Sequence, residues 1–466
     1  MNAMIIQQLF IGGIAHSSYI VAGNETCAVI DPPRDVERYR EAAAELGVRI
    51  THILTTHLHA DFVSGHLELA RLTGARIYAP ASASCEFDHQ PLSGGDTVAL
   101  EDIRFRVIET PGHTPADISY VASDLGRGED PAAVFCGDTL FVGDVGRPDL
   151  FPGRAEELGS ALYDSLHQKL LRLPDHCEVY PAHGAGSLCG RAMAAKRSST
   201  IGYERAHNPA LQIPDRADFV RSLTSDMPAA PDHFGRCSEI NRRGPALLAS
   251  LPAPAAFSPK AFSEEAAREE TVVLDLRSYD AFGGMHVPNS YHIDISANFS
   301  TMAGWVLPPD RDILLVTADP GQVKAAMIGL YRVGLDRIRG YLEGGMRAWS
   351  MTGLPIDRIP IISPEEAHTR VHGDDRATLV DVRSKEDYAV DHAAGAINIP
   401  APDLRSRFGE VPDDRAAIMI CAGGVRASLA GSILKMRGHP AVYNVAGGIR
   451  GYRAAGLPIS RDVPAA

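Results

Sequence analysis

The sequence predicts an α/β protein in three domains, on three observations. The chain has 466 residues, and an average domain takes about 150. Over the first 205 residues, short β-rich runs alternate with amphipathic stretches, and several of the runs end directly in His, Asp or Gly. The remainder is an internal repeat. VVLDLRSYDAF at 272–282 matches LVDVRSKEDYA at 379–389, and LEGGMRAWSMTGLPI at 342–356 matches VAGGIRGYRAAGLPI at 445–459, the second pair at an offset of 103. Two copies of one strand–helix unit of about 100 residues therefore follow the first domain, each expected to form a parallel sheet with helices on both faces.

The elements follow in order. MNAMIIQQLF carries no Lys or Arg and only a short apolar stretch, so it reads as a first strand and not as a signal peptide. SYIVAG, TCAVID, ITHILTTH, RFRVIETPGH, ISYVA, AAVFCGD and EVYPAH are the further strands, and residues 36–45 and 155–171 have helical periodicity. Residues 206–262 are richer in Pro and Ala and read as an extension of the first domain followed by a linker. The expected domains are 1–250, 258–358 and 360–466.

Composition narrows the function. The apolar fraction is 45% and the charged fraction 22%, ordinary for a globular protein. A net charge of -13 argues against a nucleic-acid or anionic-membrane partner, which needs a basic face. No apolar run approaches the roughly 20 residues of a membrane span. Seven cysteines are scattered without a CxxC pair, so a reducing cytoplasm is expected and a disulfide scaffold is not. A homo-oligomer is the expected state.

Three segments of the first domain carry chemistry: THLHADF (56–62), TPGHTPAD (110–117) and FCGDTLF (135–141). Each sets a His or Asp at the end of an apolar run, which supplies His57, His113 and Asp138. Two imidazoles and one carboxylate with open positions suit a non-haem Fe(II). His59, Asp61 and His183 (from PAHGAG) could instead complete a closed or dinuclear site. Satisfied structural histidines are the alternative for any one of these residues, less so for three motifs in this order.

With these motifs, residues 5–250 resemble the metallo-β-lactamase fold superfamily, and within it the persulfide dioxygenases. The resemblance implies an αββα sandwich with the site at one edge of the two sheets. It also implies a mononuclear Fe(2+), one per chain, on His57, His113 and Asp138. Dinuclear relatives such as glyoxalase II place a His where this chain has Phe62. A benzyl group cannot coordinate, so the second metal site loses a ligand, and His59, Asp61 and His183 become residues that orient the ligands or bound water. Arg147 (in GDVGRPDL) and Arg205 (in STIGYERAHNP) match family positions near the substrate's carboxylates, a task suited to a bidentate guanidinium. Some glutathione-using members carry a Tyr two residues after the His of PAH, where this chain has Ala185. Cys189, six residues after His183, is a candidate redox thiol.

The last copy contains MICAGGVRAS at 419–428. A Cys at a strand end is followed by a Gly-rich turn, an Arg and a helix. Converging N–H groups, the helix N-terminus and Arg426 stabilise a thiolate and, after sulfur transfer, a persulfide. The CxxGxR pattern resembles the rhodanese family, supported by LVDVR at 379–383, DHAAGAINIP at 391–400 and AGGIRGY at 446–452, and implies Cys421 as the sulfur carrier with Arg426 beside it. In the middle copy Thr317 stands opposite Cys421 and Gln322 opposite Arg426, so that copy is expected to be inactive.

The whole arrangement resembles the persulfide dioxygenase–rhodanese fusions of sulfide detoxification. That resemblance implies oxidation by O2 of a low-molecular-weight persulfide, such as that of glutathione or coenzyme A, to sulfite or thiosulfate. It implies sulfur transfer through Cys421 alongside. A zinc thioester hydrolase of the glyoxalase II type and a non-oxidising sulfur carrier are the alternatives.

Overall fold

A computed structural model describes residues 4–462 apart from 226, 228, 297, 374 and 375. Contacts divide the chain into two units, residues 1–251 with 331–334, and residues 252–330 with 335–466.

The first unit holds two six-stranded sheets. One has the order β1 (Ile5–Ile11), β2 (His16–Ala22), β3 (Thr26–Ile30), β4 (Arg49–Leu54), β5 (Arg76–Pro80), β6 (Gln90–Leu92). The other contains β7 (Thr97–Leu100), β8 (Ile103–Glu109), β9 (Ile118–Asp124), β10 (Ala133–Gly137), β11 (Glu178–Pro181) and β12 (Ser199–Thr200), in the order β12-β11-β10-β9-β8-β7. Strand alternation builds four layers. Tyr19, Val21, Phe105, Tyr120 and Phe135 fill the space between the sheets. Ile20, Val29 and Ile53 point outward on the first sheet and pack with Tyr39 and Leu69 from the helices Glu37–Leu46 and His66–Thr73. Val121 and Val134 do the same on the second sheet with Leu162, Leu166 and Phe219. The stretch 155–171, read as one helix, is an α-helix only to Asp164, then a π turn at Ser165–Lys169 and a 3-10 turn at Leu170–Arg172. The π turn brings the Ser165 hydroxyl to the Pro111 carbonyl at 2.8 Å, on the loop that carries His113.

The second unit contains two five-stranded parallel sheets of the same order. The first comprises β13 (Ala255–Phe257), β14 (Thr271–Asp275), β15 (Ser290–His292), β16 (Asp312–Val316) and β17 (Ile338–Leu342), ordered β13-β17-β16-β14-β15. The second comprises β18 (Ile361–Ile362), β19 (Thr378–Asp381), β20 (Ile397–Asn398), β21 (Ala417–Ile420) and β22 (Val442–Val445), ordered β18-β22-β21-β19-β20. The sequence repeat is thus a repeat of topology.

Candidate metal centre and sulfur-carrier loop

Asp31, His57, His113, Asp138 and His183 each follow the end of a strand. Asp31 closes β3 with a left-handed φ of 52°. Its carboxylate accepts the Thr56 N–H at 2.8 Å and the Thr56 hydroxyl at 2.7 Å. Thr56 Oγ1 lies 2.9 Å from His57 Nδ1, which leaves His57 Nε2 buried and unpartnered among the described residues. His113 repeats the device. Its Nδ1 meets the Arg147 carbonyl at 2.9 Å, and its Nε2 is likewise buried and unpartnered. The two free Nε2 atoms face Asp138 Oδ2 at 3.9 and 3.4 Å. The ligand atoms of His57, His113 and Asp138 all lie within 4.8 Å of one another. Gly137 precedes Asp138 with φ 54°, and a Cβ there would meet Thr56 Oγ1 at 2.7 Å, so the strand end closes on the Thr56 loop only without a side chain.

Burial, with His59 next, drives His57 well below the usual histidine range, and burial likewise lowers His113. Both rings therefore offer neutral lone pairs. Burial opposes ionisation of Asp138, but His183, His113 and His57 outweigh it and hold the carboxyl well below its usual range. Two orphaned, neutral imidazole nitrogens beside an ionised carboxylate are a donor set that fits a divalent metal.

The neighbouring candidates lie against this cluster. His183 Nδ1 is 2.7 Å from Asp138 Oδ1, and its Nε2 is 2.8 Å from Asp61 Oδ2. His59 Nε2 lies 3.3 Å from Asp31 Oδ1. Phe62, fully buried, stacks on His59 with ring centroids 4.3 Å apart and lies 4.3 Å from the ring of His16. Cys189 is 1% exposed and groups with Asp61 and His183. Burial, with Asp61 and Asp138, pushes its thiol well above the usual range, the opposite of what an activated thiolate needs.

The two arginines each have a carboxylate partner in the structure. Arg147 is 2% exposed, and its guanidinium binds Asp149 bidentately at 2.7 Å and the Leu188 carbonyl at 3.1 Å. Its nearest tie to the cluster is its backbone carbonyl, which orients His113. Arg205 pairs with Asp175 on the surface and donates to the Leu171 and Leu173 carbonyls.

Sequence reasoning missed three residues. Asp31 was signalled by the Asp ending TCAVID. His16 carried no motif. Asn241, on the helix His233–Arg243, is fully buried and donates to the carbonyls of His59 and Phe62 at 2.9 and 2.8 Å while accepting the Ser64 N–H at 2.8 Å. The extension after residue 206 thereby clamps the metal loop.

In the last sheet, Cys421 directly follows β21 and is 1% exposed. The Gly424 N–H donates to Cys421 Sγ at 3.1 Å, and Asn444 Nδ2 holds the Gly424 carbonyl at 2.9 Å. The Ile449 N–H donates to the Cys421 carbonyl at 2.7 Å. A Cβ on Gly448 would collide with that carbonyl, which explains the glycine of AGGIRGY. Arg426 lies at the loop's end, 3.6 Å from Asp387.

Comparison with known proteins agrees with this picture. The Metallo-beta-lactamase superfamily profile matches residues 11–183, and the Rhodanese-like domain profile matches 258–352 and 363–455. A metallo-beta-lactamase structure from Staphylococcus aureus is 33% identical, covers 73% of this chain and 99% of its own, and superimposes with a TM-score of 0.66. The mitochondrial persulfide dioxygenase of Bos taurus is 28% identical over 224 residues, 47% of this chain and 80% of that protein. The hydroxyacylglutathione hydrolase of Rhodospirillum rubrum is 40% identical over 159 residues, 34% of this chain and 57% of that protein. The chain belongs to the metallo-beta-lactamase superfamily. Its lactamase-fold domain, an αββα sandwich, is followed by two rhodanese-like domains with parallel sheets, and its relatives include persulfide dioxygenases.

Proposed function

We propose that the chain is a non-haem Fe(II) persulfide dioxygenase fused to one active rhodanese, with domains at about 1–250, 258–358 and 360–466. One observation carries the reading: the convergence of His57 Nε2, His113 Nε2 and Asp138, two of them buried without a protein partner, in a site where Phe62 stacks on His59 and offers no ligand. Fe(II) on these residues would supply open coordination positions for O2 and a persulfide sulfur, and that sulfur would supply the four electrons that reduce O2. Asp31, through Thr56, and the Arg147 carbonyl fix the two imidazole tautomers. Asp61 and Asp138 hold His183 well above the usual histidine range against the opposing effect of burial, so a proton stays on this ring at neutral pH. Phe62 and His16, both fully buried, pack together beside His59. Arg147 and Arg205 remain the proposed contacts to the carrier thiol, and Cys189 the proposed redox thiol.

In the last domain, the Cys421 thiolate attacks a sulfane sulfur. With thiosulfate as donor, the S–S bond breaks, sulfite leaves with the electron pair, and a Cys421 persulfide remains. No external electrons are exchanged. The Gly424 N–H and Arg426 stabilise the anion. All seven cysteines are free thiols, which supports a reducing compartment such as the cytoplasm. No described helix is long and apolar enough to cross a membrane. A homo-oligomer is part of the same proposal.

The test is metal content measured together with O2 consumption on glutathione and coenzyme A persulfides. Anaerobically purified protein should hold close to one Fe per chain, Asp138→Ala should lose it, and O2 uptake should depend on persulfide. Arg205→Ala should weaken apparent substrate binding with iron retained. Two tightly held metals, or full activity with zinc alone, would sink the reading. The identity with the hydroxyacylglutathione hydrolase supports a second reading, a zinc thioester hydrolase. Thioester cleavage without O2 uptake would establish it.

A further inference from the structure

The helix Val425–Met436, which begins in the Cys421 loop, has eight consecutive buried residues, 427 to 434. A helix apolar on one face cannot bury that much against its own sheet. The first rhodanese-like copy covers the other side. The His292 N–H donates to Ser432 Oγ at 3.1 Å, and Lys435 pairs with Asp357, between the two copies, at 3.1 Å. At the N-terminal end the same packing reaches the loop itself. A Cβ built on Gly424, whose φ is +105°, would lie 2.9 Å from Cε2 and 3.0 Å from Cζ of Tyr279. Gly424 is the residue whose N–H donates to Cys421 Sγ. A ring from the copy without a cysteine therefore stands against the residue whose N–H meets the sulfur of the copy that has one.

Tyr279 is half-buried, between exposed Ser278 and Asp280, and its hydroxyl makes no hydrogen bond among the described residues. The corresponding residue of the second copy, after Ser384, is Lys385, so the aromatic ring is not a shared requirement of the fold.

We propose that Tyr279 is a positioning and specificity residue of the Cys421 site. Its ring forms a wall beside the Gly424 turn and limits the size of the sulfur donor or acceptor that reaches Sγ. Small anionic species such as thiosulfate and sulfite pass, and bulky thiosulfonates are held back. Its face also offers a favourable contact to polarisable sulfur. The inference rests on the reading of Cys421 as the sulfur carrier.

The test uses the full chain with Tyr279→Ala, Tyr279→Phe and Tyr279→Trp. Sulfur transfer to cyanide is followed from thiosulfate and from benzenethiosulfonate, with mass spectrometry of the Cys421 peptide after each donor. In Tyr279→Ala, the ratio of kcat/KM for benzenethiosulfonate over thiosulfate should rise about tenfold, mainly through KM. It should stay near wild type in Tyr279→Phe and fall in Tyr279→Trp. An unchanged ratio in the Ala and Trp variants, or in Trp alone if the Ala variant does not fold, overturns the proposal. Absence of one added sulfur on Cys421 in the wild-type protein would instead overturn the sulfur-carrier reading on which it stands.

Discussion

The two rhodanese-like copies share a scaffold and differ in one loop. Asp275 and Arg277 form a buried pair at 2.6 Å, and Asp381 and Arg383 repeat it at 2.6 Å. His286 stacks on Phe282 at 3.8 Å and 9°, and His392 stacks on Tyr388 with the same geometry. Each of these histidines also directs Nδ1 to the carbonyl of the residue it stacks on, at 2.9 Å. At the loop the copies part. In the second copy a loop N–H points at Cys421 Sγ. In the first, Gln322 Oε1 takes the N–H groups of Ala318 and Asp319 at 3.0 and 3.4 Å, and Asp319 Oδ1 takes that of Gly321 at 2.6 Å. The donors that would stabilise a persulfide are satisfied by the loop's own side chains. The first copy thus differs from the second by more than Thr317 in place of a Cys: its loop N–H groups already have side-chain acceptors. Fold and chemistry separate here at the level of a few residues.

The largest test of this contrast is Cys421→Ser, which should lower thiosulfate–thiol sulfur transfer at least about a thousandfold, since only the thiolate can attack and hold a sulfane sulfur. O2 uptake on preformed persulfide should persist, with products shifted towards sulfite. Were O2 uptake also to stop, the two chemistries would be coupled and the independent-site account would fail. Next come the shared pairs. Arg277→Ala and Arg383→Ala each strip a buried carboxylate of its guanidinium and should each cost roughly 3–5 kcal/mol in denaturant unfolding. Tolerance of one and not the other would show that the scaffolds are not equivalent. A smaller loss, about 0.5–1.5 kcal/mol, is expected for Gln322→Ala, which frees solvent-accessible N–H groups. The smallest effects belong to Thr317. Thr317→Ala should change neither activity, and Thr317→Cys should gain no sulfur transfer while Gln322 keeps the loop donors. Measurable transfer by a Thr317→Cys, Cys421→Ser double variant would break the comparison.

Much of this was legible in the sequence. The strands ending in His57, His113 and Asp138, the repeat, and the Cys421 loop were all readable, because strand-end polar residues and Gly-rich turns are local signals. The partners that hold them were not. Asn241 lies 182 positions from His59, on a polar helix whose pattern reports a buried face but not which carbonyl that face meets. The contacts of the Arg147 guanidinium with Asp149 and of its carbonyl with His113 carry no motif in the sequence. The pairing of Arg205 with Asp175, 30 residues away, likewise leaves no local signal. The π turn at Ser165–Lys169 lies in a stretch that reads as one helix, where the buried Leu158, Leu162, Leu166 and Leu170 recur every four residues.

The buried helix behind Cys421 bears on portability. Residues 427–434 carry side chains such as Leu429, Ile433 and Leu434 that meet no water in the tandem. Excised at residue 360, the last domain would present part of that helix to solvent and would be prone to aggregation or proteolysis. The first copy is thus a fixed companion of the second: deleting it to obtain a minimal domain would remove the surface on which the Cys421 loop is braced.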